Sequence, residues 1–343
     1  MKVAIVLFNL GGPDSLEAVE PFLRNLFGDP AILSLPGILR WPLARFLARR
    51  RAPVAREIYA KLGGSSPIVA QTRAQADALD KVLAVRGVEA KSFIAMRCWH
   101  PFSDGAATAV KAWGADHIVL LPLYPQFSTT TTASSFRDWD RAARKAGLSV
   151  PTHRVCCYPD EDGFVAASAM CIRKALEDRK PGVDYRLLLS AHGLPKRTIA
   201  KGDPYQFQVE RTAAAIVDAL GIEGLDWAVC YQSRVGPLEW IGPATEAEIR
   251  RAGADGKGVI VAPIAFVSEH SETLVELDIE YAHLAKTSGV ADYLRASTVG
   301  THPDFIAGLA DLVVRASADT ATISGAGGRL CPGGFGGCPC GAK

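Results

Sequence analysis

At 343 residues, 48% of them hydrophobic and 22% charged, the chain is long enough for two domains and a sizeable buried core. A net charge of +2 gives no general attraction to nucleic acid, and no apolar run reaches the length that would span a bilayer. Of the eight cysteines, Cys331, Cys338 and Cys340 crowd the last residues, a spacing that in a reducing compartment suggests metal before disulfides.

The N-terminal "MKVAIVLFNLGGPDS" lacks a basic flank and a cleavage site, so it reads as a first strand and the chain is expected to be cytoplasmic. A helix over 14–27 follows. Residues 35–51, "LPGILRWPLARFLARRR", interleave Leu, Ile, Trp and Phe with five arginines, and Pro36 and Pro42 are expected to break any long helix there. This lip is either an amphipathic element packed on the body or an apolar rim that touches membrane and binds carboxylates through arginine. Helix 68–86, strand "AKSFIAM", helix 104–114 and strand "DHIVLLPL" carry the pattern to about residue 148, where "KAGLSVPTH" loosens the periodicity. Beyond it, strands "YRLLLSA", "LDWAVCY" and "GVIVAPIAFV" alternate with helices over 162–179, 206–220, 244–253, 273–287 and 303–317. Near-continuous apolar strands alternating with helices predict an α/β fold of parallel sheets flanked by helices. The expected domains are 1–150 and 151–318, followed by a glycine- and cysteine-rich tail, 319–343, unsuited to helix or ordinary strand.

Most of these strands end in polar or aromatic residues: Asn9, Arg97 to His100, Tyr124, His192, Gln232 with Ser233, and Glu269 with His270. Ligands of open α/β sheets bind at the carboxyl ends of strands, so a cleft there would gather them. In "FVSEHSETLVELDIEY" (266–281), Thr273 and Glu276 fit a capping box, and carboxylates at a helix start are stabilised by the dipole. Glu272, Glu276 and Glu280, however, recur every four residues and would repel on one helical face unless a proton or metal relieved them. His270 beside them, and His192 at the end of "LLLSAH", are candidate proton acceptors near neutral pH. Trp240 lies in the irregular "YQSRVGPLEWIGP" and either caps a core or offers a stacking surface to a flat ligand. "GGP" at 11–13 is too short for a phosphate loop, and no GxxxxGK[ST] segment occurs.

Taken together, "NLGGP", "LFGDP", "GGSSPI", "MRCWHP", "LYPQFS", "SAHGLP", "GDPY", "YQSRVGPLEWIGP" and "VAPIAFVSEHSETLVELDIEY" resemble the ferrochelatase family in order and spacing over nearly the whole chain. The resemblance implies two Rossmann-like domains holding protoporphyrin IX between them, and insertion of ferrous iron into it. It implies His192 as proton-abstracting residue and His270, Glu272 and Glu276 as an acidic path, with His192 and Glu272 meeting the iron substrate. Leu10, Tyr124, Trp240 and Phe266 would line the pocket, and Arg50 or Arg51 would meet the propionates. Leu10 and Cys98 stand where family members often carry methionine or tyrosine, which implies an altered pocket shape. Peripheral contact with the inner face of the membrane and pairing into a homodimer are further implications. The alternatives are coproporphyrin III as substrate, or a non-catalytic tetrapyrrole- or iron-binding protein of the same fold.

Some members of that family carry a [2Fe–2S] cluster near the C-terminus, which the C-x6-C-x-C set of Cys331, Cys338 and Cys340 resembles. Thr129 stands where the family's fourth cysteine lies, so another donor is needed. "THRVCCYPD" offers Cys157, nearer the strand's exit, or Cys156; only one is expected to point towards the tail, because neighbours on an extended segment face opposite ways. A zinc site, or a tail of free thiols, is the alternative.

Overall fold

The structure is a computed structural model and describes residues 2–234, 236, 238–318 and 322–340. Its first sheet is all parallel, in the order β2 (Ala90–Met96), β1 (Val3–Asn9), β3 (His117–Pro122), β4 (Thr152–Cys157), β9 (Thr322–Ser324). The second, also parallel, runs β6 (Trp227–Gln232), β5 (Tyr185–His192), β7 (Gly258–Pro263), β8 (Tyr293–Arg295). All seven residues of β1 and all six of β7 are buried, because helices cover both faces, as the unbroken apolar runs require. The α/β expectation of two parallel sheets flanked by helices therefore holds.

Helices α1 (Val19–Gly28), α2 (Gly37–Ala60), α3 (Ile68–Val85), α4 (Ser103–Trp113) and α5 (Thr132–Ala146) belong to the first sheet's half. They are followed by α6 (Asp162–Glu177), α7 (Lys196–Ala200), α8 (Tyr205–Leu220), α9 (Thr245–Ala254), a π-helix (Glu272–Tyr281), α10 (Ala282–Thr287) and α11 (Pro303–Ala318).

The boundary at 150/151 does not separate the sheets. β4 pairs with β3, β9 returns from the tail to pair with β4, and Phe305, Leu309, Leu312 and Val313 of α11 share a core with β1 and β3. The first domain thus takes both ends of the chain, and 319–343 is no separate tail, although 319–321 and 341–343 lie outside the described residues. Sequence periodicity marks strands but not which sheet accepts them; that is decided by side chains far apart in the chain.

The lip also differs from expectation. Residues 37–60 form one helix with Pro42 and Pro53 inside it. Ala44, Ala48 and Ala52 recur every four residues, are buried, and let α2 lie close against Val19, Phe22 and Leu23 of α1. That contact outweighs the hydrogen bonds the prolines forfeit. On the other side Ile38 is 83% exposed, with Leu39, Trp41 and Phe46 more than half exposed.

In each sheet the chain leaves its first strand in opposite directions, to β2 and β3 from β1 and to β6 and β7 from β5. A crevice opens at the carboxyl ends of strands where this reversal occurs. The ends of β1, β2 and β3 bring Leu10, Arg97 and Tyr124 to one such place, and those of β5, β6 and β7 bring His192, Ser233 and the 264–272 turn to the other.

Candidate active site

His192 closes β5, and Nδ1 of its ring lies 2.8 Å from Oε2 of Glu272, the first residue of the π-helix. Burial by itself would lower the pKa of His192, but the charge and hydrogen bond of Glu272 outweigh it and raise the value. Burial would likewise raise Glu272, yet His192 draws it down to about 2. With Glu272 ionised, Nδ1–H donates to it, and the lone pair of the neutral ring sits on Nε2. The His192 side chain remains 38% exposed.

Glu276 lies one turn on. Burial, and then the charge of Glu272, raise its pKa, so this carboxyl holds its proton to higher pH than its neighbour. Ser233 Oγ stands 2.5 Å from Glu276 Oε2 and 3.2 Å from Glu272 Oε2, Ser233 N–H donates to Glu276 Oε1 at 2.8 Å, and Tyr281 Oη donates to that same oxygen at 2.9 Å. The result is a hydrogen-bonded series from His192 through two carboxylates with their pKa values pushed apart, the pattern of an acid–base pair.

The helix that carries these acids is wider than expected. Residues 272–281 bond i→i+5, a rare π-form that is frequent at functional sites. Glu280 falls on the exposed side, so the three-glutamate face narrows to two. Glu269 and Asp278 are engaged elsewhere, both gripped by Arg295, at 2.7 and 2.5 Å. The capping box does not form: Ser271 is the cap, and Thr273 Oγ1 accepts from His270 N–H while Glu276 turns to Ser233. His270 Nδ1 accepts the N–H of Glu272 at 3.1 Å, and burial lowers its pKa, so the ring is neutral where His192 binds a proton.

The walls follow from the strand ends. The edge of Phe266 meets the His270 ring with centroids 4.5 Å apart. Trp240 pairs through its backbone with Pro195, and a Cβ on Gly193 would stand 3.3 Å from its Cε3; glycine after His192 lets the indole lie close over this turn. Leu10 packs with Cys98 and Trp99 beside α1 and α2, and Tyr124 packs with the cluster of Phe8 and Phe136. Arg50 and Arg51 are exposed on α2. The 267–271 turn is fixed to the first domain by Gln75 Nε2, which donates to Val267 O at 2.8 Å and Gly300 O at 2.9 Å, and by Gln71 Oε1, which accepts from Glu269 N–H at 2.7 Å. Tyr59 Oη, 3.5 Å from Ser271 Oγ, is pushed up to about 12 by burial.

The ferrochelatase family model matches residues 2–317. The chain belongs to the ferrochelatase family. It is 54% identical to a Caulobacter vibrioides protein named ferrochelatase, over 99% of this chain and 97% of that one. It is 48% identical to another of that name from Pelagibacter ubique, over 99% of each. The fold is also that of the sirohydrochlorin chelatase SirB from Bacillus subtilis subspecies spizizenii, solved with cobalt, at a TM-score of 0.52 and 13% identity over 93% of this chain and 96% of that one.

Within this ferrochelatase-family fold, two further residues take parts that the sequence had not assigned them. Gln232, fully buried, donates through Nε2 to Glu272 O and Glu276 Oε2, and its Oε1 accepts from Ser190 Oγ at 2.8 Å. Its only signal was a polar pair closing an apolar strand. Asp29 of "LFGDP" is 3% exposed and holds Arg97 at 2.9 Å and Ser134 Oγ at 2.5 Å, tying the end of β2 to the start of α5. Neither neighbour is near it in sequence.

The tail thiols converge on β4. Cys156 Sγ is 3.4 Å from Cys157 Sγ and 3.3 Å from Cys340 Sγ, while the neighbouring Cys331 and Cys340 hold Cys338 below the usual thiol range. Gln208 Nε2 donates to Cys331 Sγ at 3.1 Å and Cys157 Sγ at 3.4 Å. The expectation that one of Cys156 and Cys157 points away is incorrect: the register with β9 shifts between Val155 and Cys157, and such a bulge turns both thiols to one side. The tail also joins a buried cluster, in which Cys340 packs with Phe127, Cys156 and Cys157. The thiols are packed in mutual contact, and among the described residues no group of three or more histidine, cysteine or acidic side chains is arranged to hold a metal.

Proposed function

We propose that the chain inserts ferrous iron into protoporphyrin IX, the last step of haem formation. The observation that carries this is the series His192–Glu272–Ser233–Glu276 at the switch point of the second sheet, between aromatic walls. A free-base porphyrin must lose two N–H protons as the metal enters. His192 Nε2 takes a proton, and the imidazolium so formed is stabilised by Glu272 at Nδ1. Trp240, Phe266, Leu10 and Tyr124 hold the macrocycle in a bent form that exposes its nitrogen lone pairs. Imidazole and carboxylate oxygen release iron readily, where thiolates would trap it, and none of the cysteines is among these groups. Arg50 or Arg51 meets the propionates at the cleft mouth.

An anaerobic assay with ferrous iron and either protoporphyrin IX or coproporphyrin III tests this by loss of the free-base spectrum. Consumption of protoporphyrin by the wild type and its loss in His192→Ala, with porphyrin affinity kept, is the expected result. Near-normal turnover by the variant would overturn the role of His192, and consumption of coproporphyrin alone would change the substrate.

Two further assignments belong here. The exposed apolar and arginine residues of α2 suit reversible attachment to an anionic membrane surface, which a poorly soluble substrate favours. No helix among the described residues is long and apolar enough to cross a membrane. For the tail we propose thiolate ligation of a [2Fe–2S] cluster by Cys331, Cys338, Cys340 and Cys157, or Cys156 in its place, which requires the thiols to spread from their present mutual contact. Five thiols converge, a buried amide donates to two of them, and Arg329 closes the loop on the carbonyls of Cys331 at 2.9 Å and Cys340 at 3.2 Å. Bound there, the cluster would supply one-electron chemistry and a cross-link between tail and sheet.

A further inference from the structure

β6 ends at Gln232, and the next residue, Ser233, has φ of 61°, the one non-glycine residue in the left-handed region among those described. A residue with a Cβ pays for that conformation and keeps it only where surrounding contacts over-determine it. Those contacts are all to the two functional carboxylates. The N–H reaches Glu276 Oε1 at 2.8 Å, and the hydroxyl lies between Glu276 Oε2 at 2.5 Å and Glu272 Oε2 at 3.2 Å. The oxygen of Glu272 that Ser233 touches is the one that receives His192 Nδ1–H.

Two carboxylates on adjoining turns repel unless something lies between them. A hydroxyl has one proton and two lone pairs, so it donates to one carboxylate and accepts from the other when that one is protonated. Gln232 offers no substitute at Glu272, whose backbone oxygen it binds and whose carboxylate it leaves to Ser233.

We propose that Ser233 is a positioning residue for metal insertion: its hydroxyl, presented by a left-handed backbone, bridges Glu272 and Glu276 and holds the Glu272 carboxylate on His192. The proposal rests on the assignment of His192 and Glu272 to the reaction, and goes beyond it by naming what keeps that pair in place.

Ser233→Gly and Ser233→Ala separate the hydroxyl from the backbone. Glycine adopts positive φ without strain and keeps the N–H to Glu276, while alanine keeps the Cβ and loses only the hydroxyl. Both variants are expected to lose kcat by roughly tenfold to a hundredfold, the range for removing a group that orients a functional one. Their KM for porphyrin, and porphyrin affinity by fluorescence quenching, should stay within about twofold of wild type, since Ser233 is not part of the ring's walls. A Ser233→Gly protein with wild-type kcat would overturn the proposal, because the serine would then matter only as a backbone conformation. Parallel loss of kcat and porphyrin affinity in both variants would also overturn it, in favour of a loop that merely shapes the pocket. Should His192→Ala itself turn over normally, the site assignment would fail first, a result distinct from either outcome at Ser233.

Discussion

His192 Nδ1 and Glu272 Oε2, 80 residues apart in the chain, stand 2.8 Å from one another at the carboxyl ends of adjacent strands' connections. With His192 as the proposed base, the pair gives turnover a pH dependence of defined sign. Glu272 raises the pKa of His192, so their attraction contributes stability at pH below the ordinary histidine value of about 6.5 and loses it as pH rises through the raised value. The proposed proton transfer runs the other way, because His192 as base must be neutral, so kcat/KM should climb through that same raised pKa. Replacing Glu272 by Gln removes the charge that raises His192. Pre-steady-state or steady-state pH profiles should show the acid limb displaced to lower pH together with a large fall in maximal kcat. An unmoved limb would mean that the titrating group is not His192.

The buried ion pair of Asp29 and Arg97 yields a stability prediction. Asp29→Ala removes the carboxylate that pairs with Arg97 and accepts from the Ser134 hydroxyl, leaving the partly buried guanidinium only the Ser134 oxygen, at 2.8 Å from its Nε. Removing one partner of such a pair costs about 3–5 kcal/mol, so the denaturant midpoint should fall markedly with little change in slope. A midpoint within error of wild type would show that water replaces the carboxylate without cost.

For α2 the measurement is sedimentation with liposomes. Ile38→Ser combined with Phe46→Ser should abolish binding to anionic vesicles at low salt while leaving the Ala44, Ala48 and Ala52 packing and the thermal midpoint unchanged. Raised salt should release the wild type, since arginine–phosphate attraction is screened. Wild-type protein that stays in the supernatant at low salt would refute the membrane role.

Anaerobically purified protein should be reddish-brown, with visible absorption bands that vanish when Cys331, Cys338 or Cys340 is changed to Ser. Changing Cys156 and Cys157 to Ser separately identifies the fourth thiolate, as only one replacement should abolish the bands. Colourless protein containing zinc and no acid-labile sulfide would replace the cluster by a zinc site.

Which residues gather at the candidate site was partly legible because strand ends are local features: an apolar run followed by His, or by Gln-Ser, can be read without knowing the sheet order. Ser233 was visible in that way but carried no role, since a positive φ and two acceptors from another element leave no mark on "YQSRVG". Glu280 matched the four-residue spacing of Glu272 and Glu276, yet the π-helix widened the turn and left it exposed.

The sequence by itself determined the α/β class, the nine-motif order of the ferrochelatase family, and His192, Glu272 and Glu276 as the residues to watch. Alternating hydrophobic runs and short motifs are properties of neighbouring residues, and neighbours are what a sequence records. Only the tertiary structure decided that β4, α11 and β9 rejoin the first sheet, that α2 runs unbroken through Pro42 and Pro53, and that both Cys156 and Cys157 face the tail. Each of these depends on burial against partners distant in the chain, where packing outweighs local backbone preference.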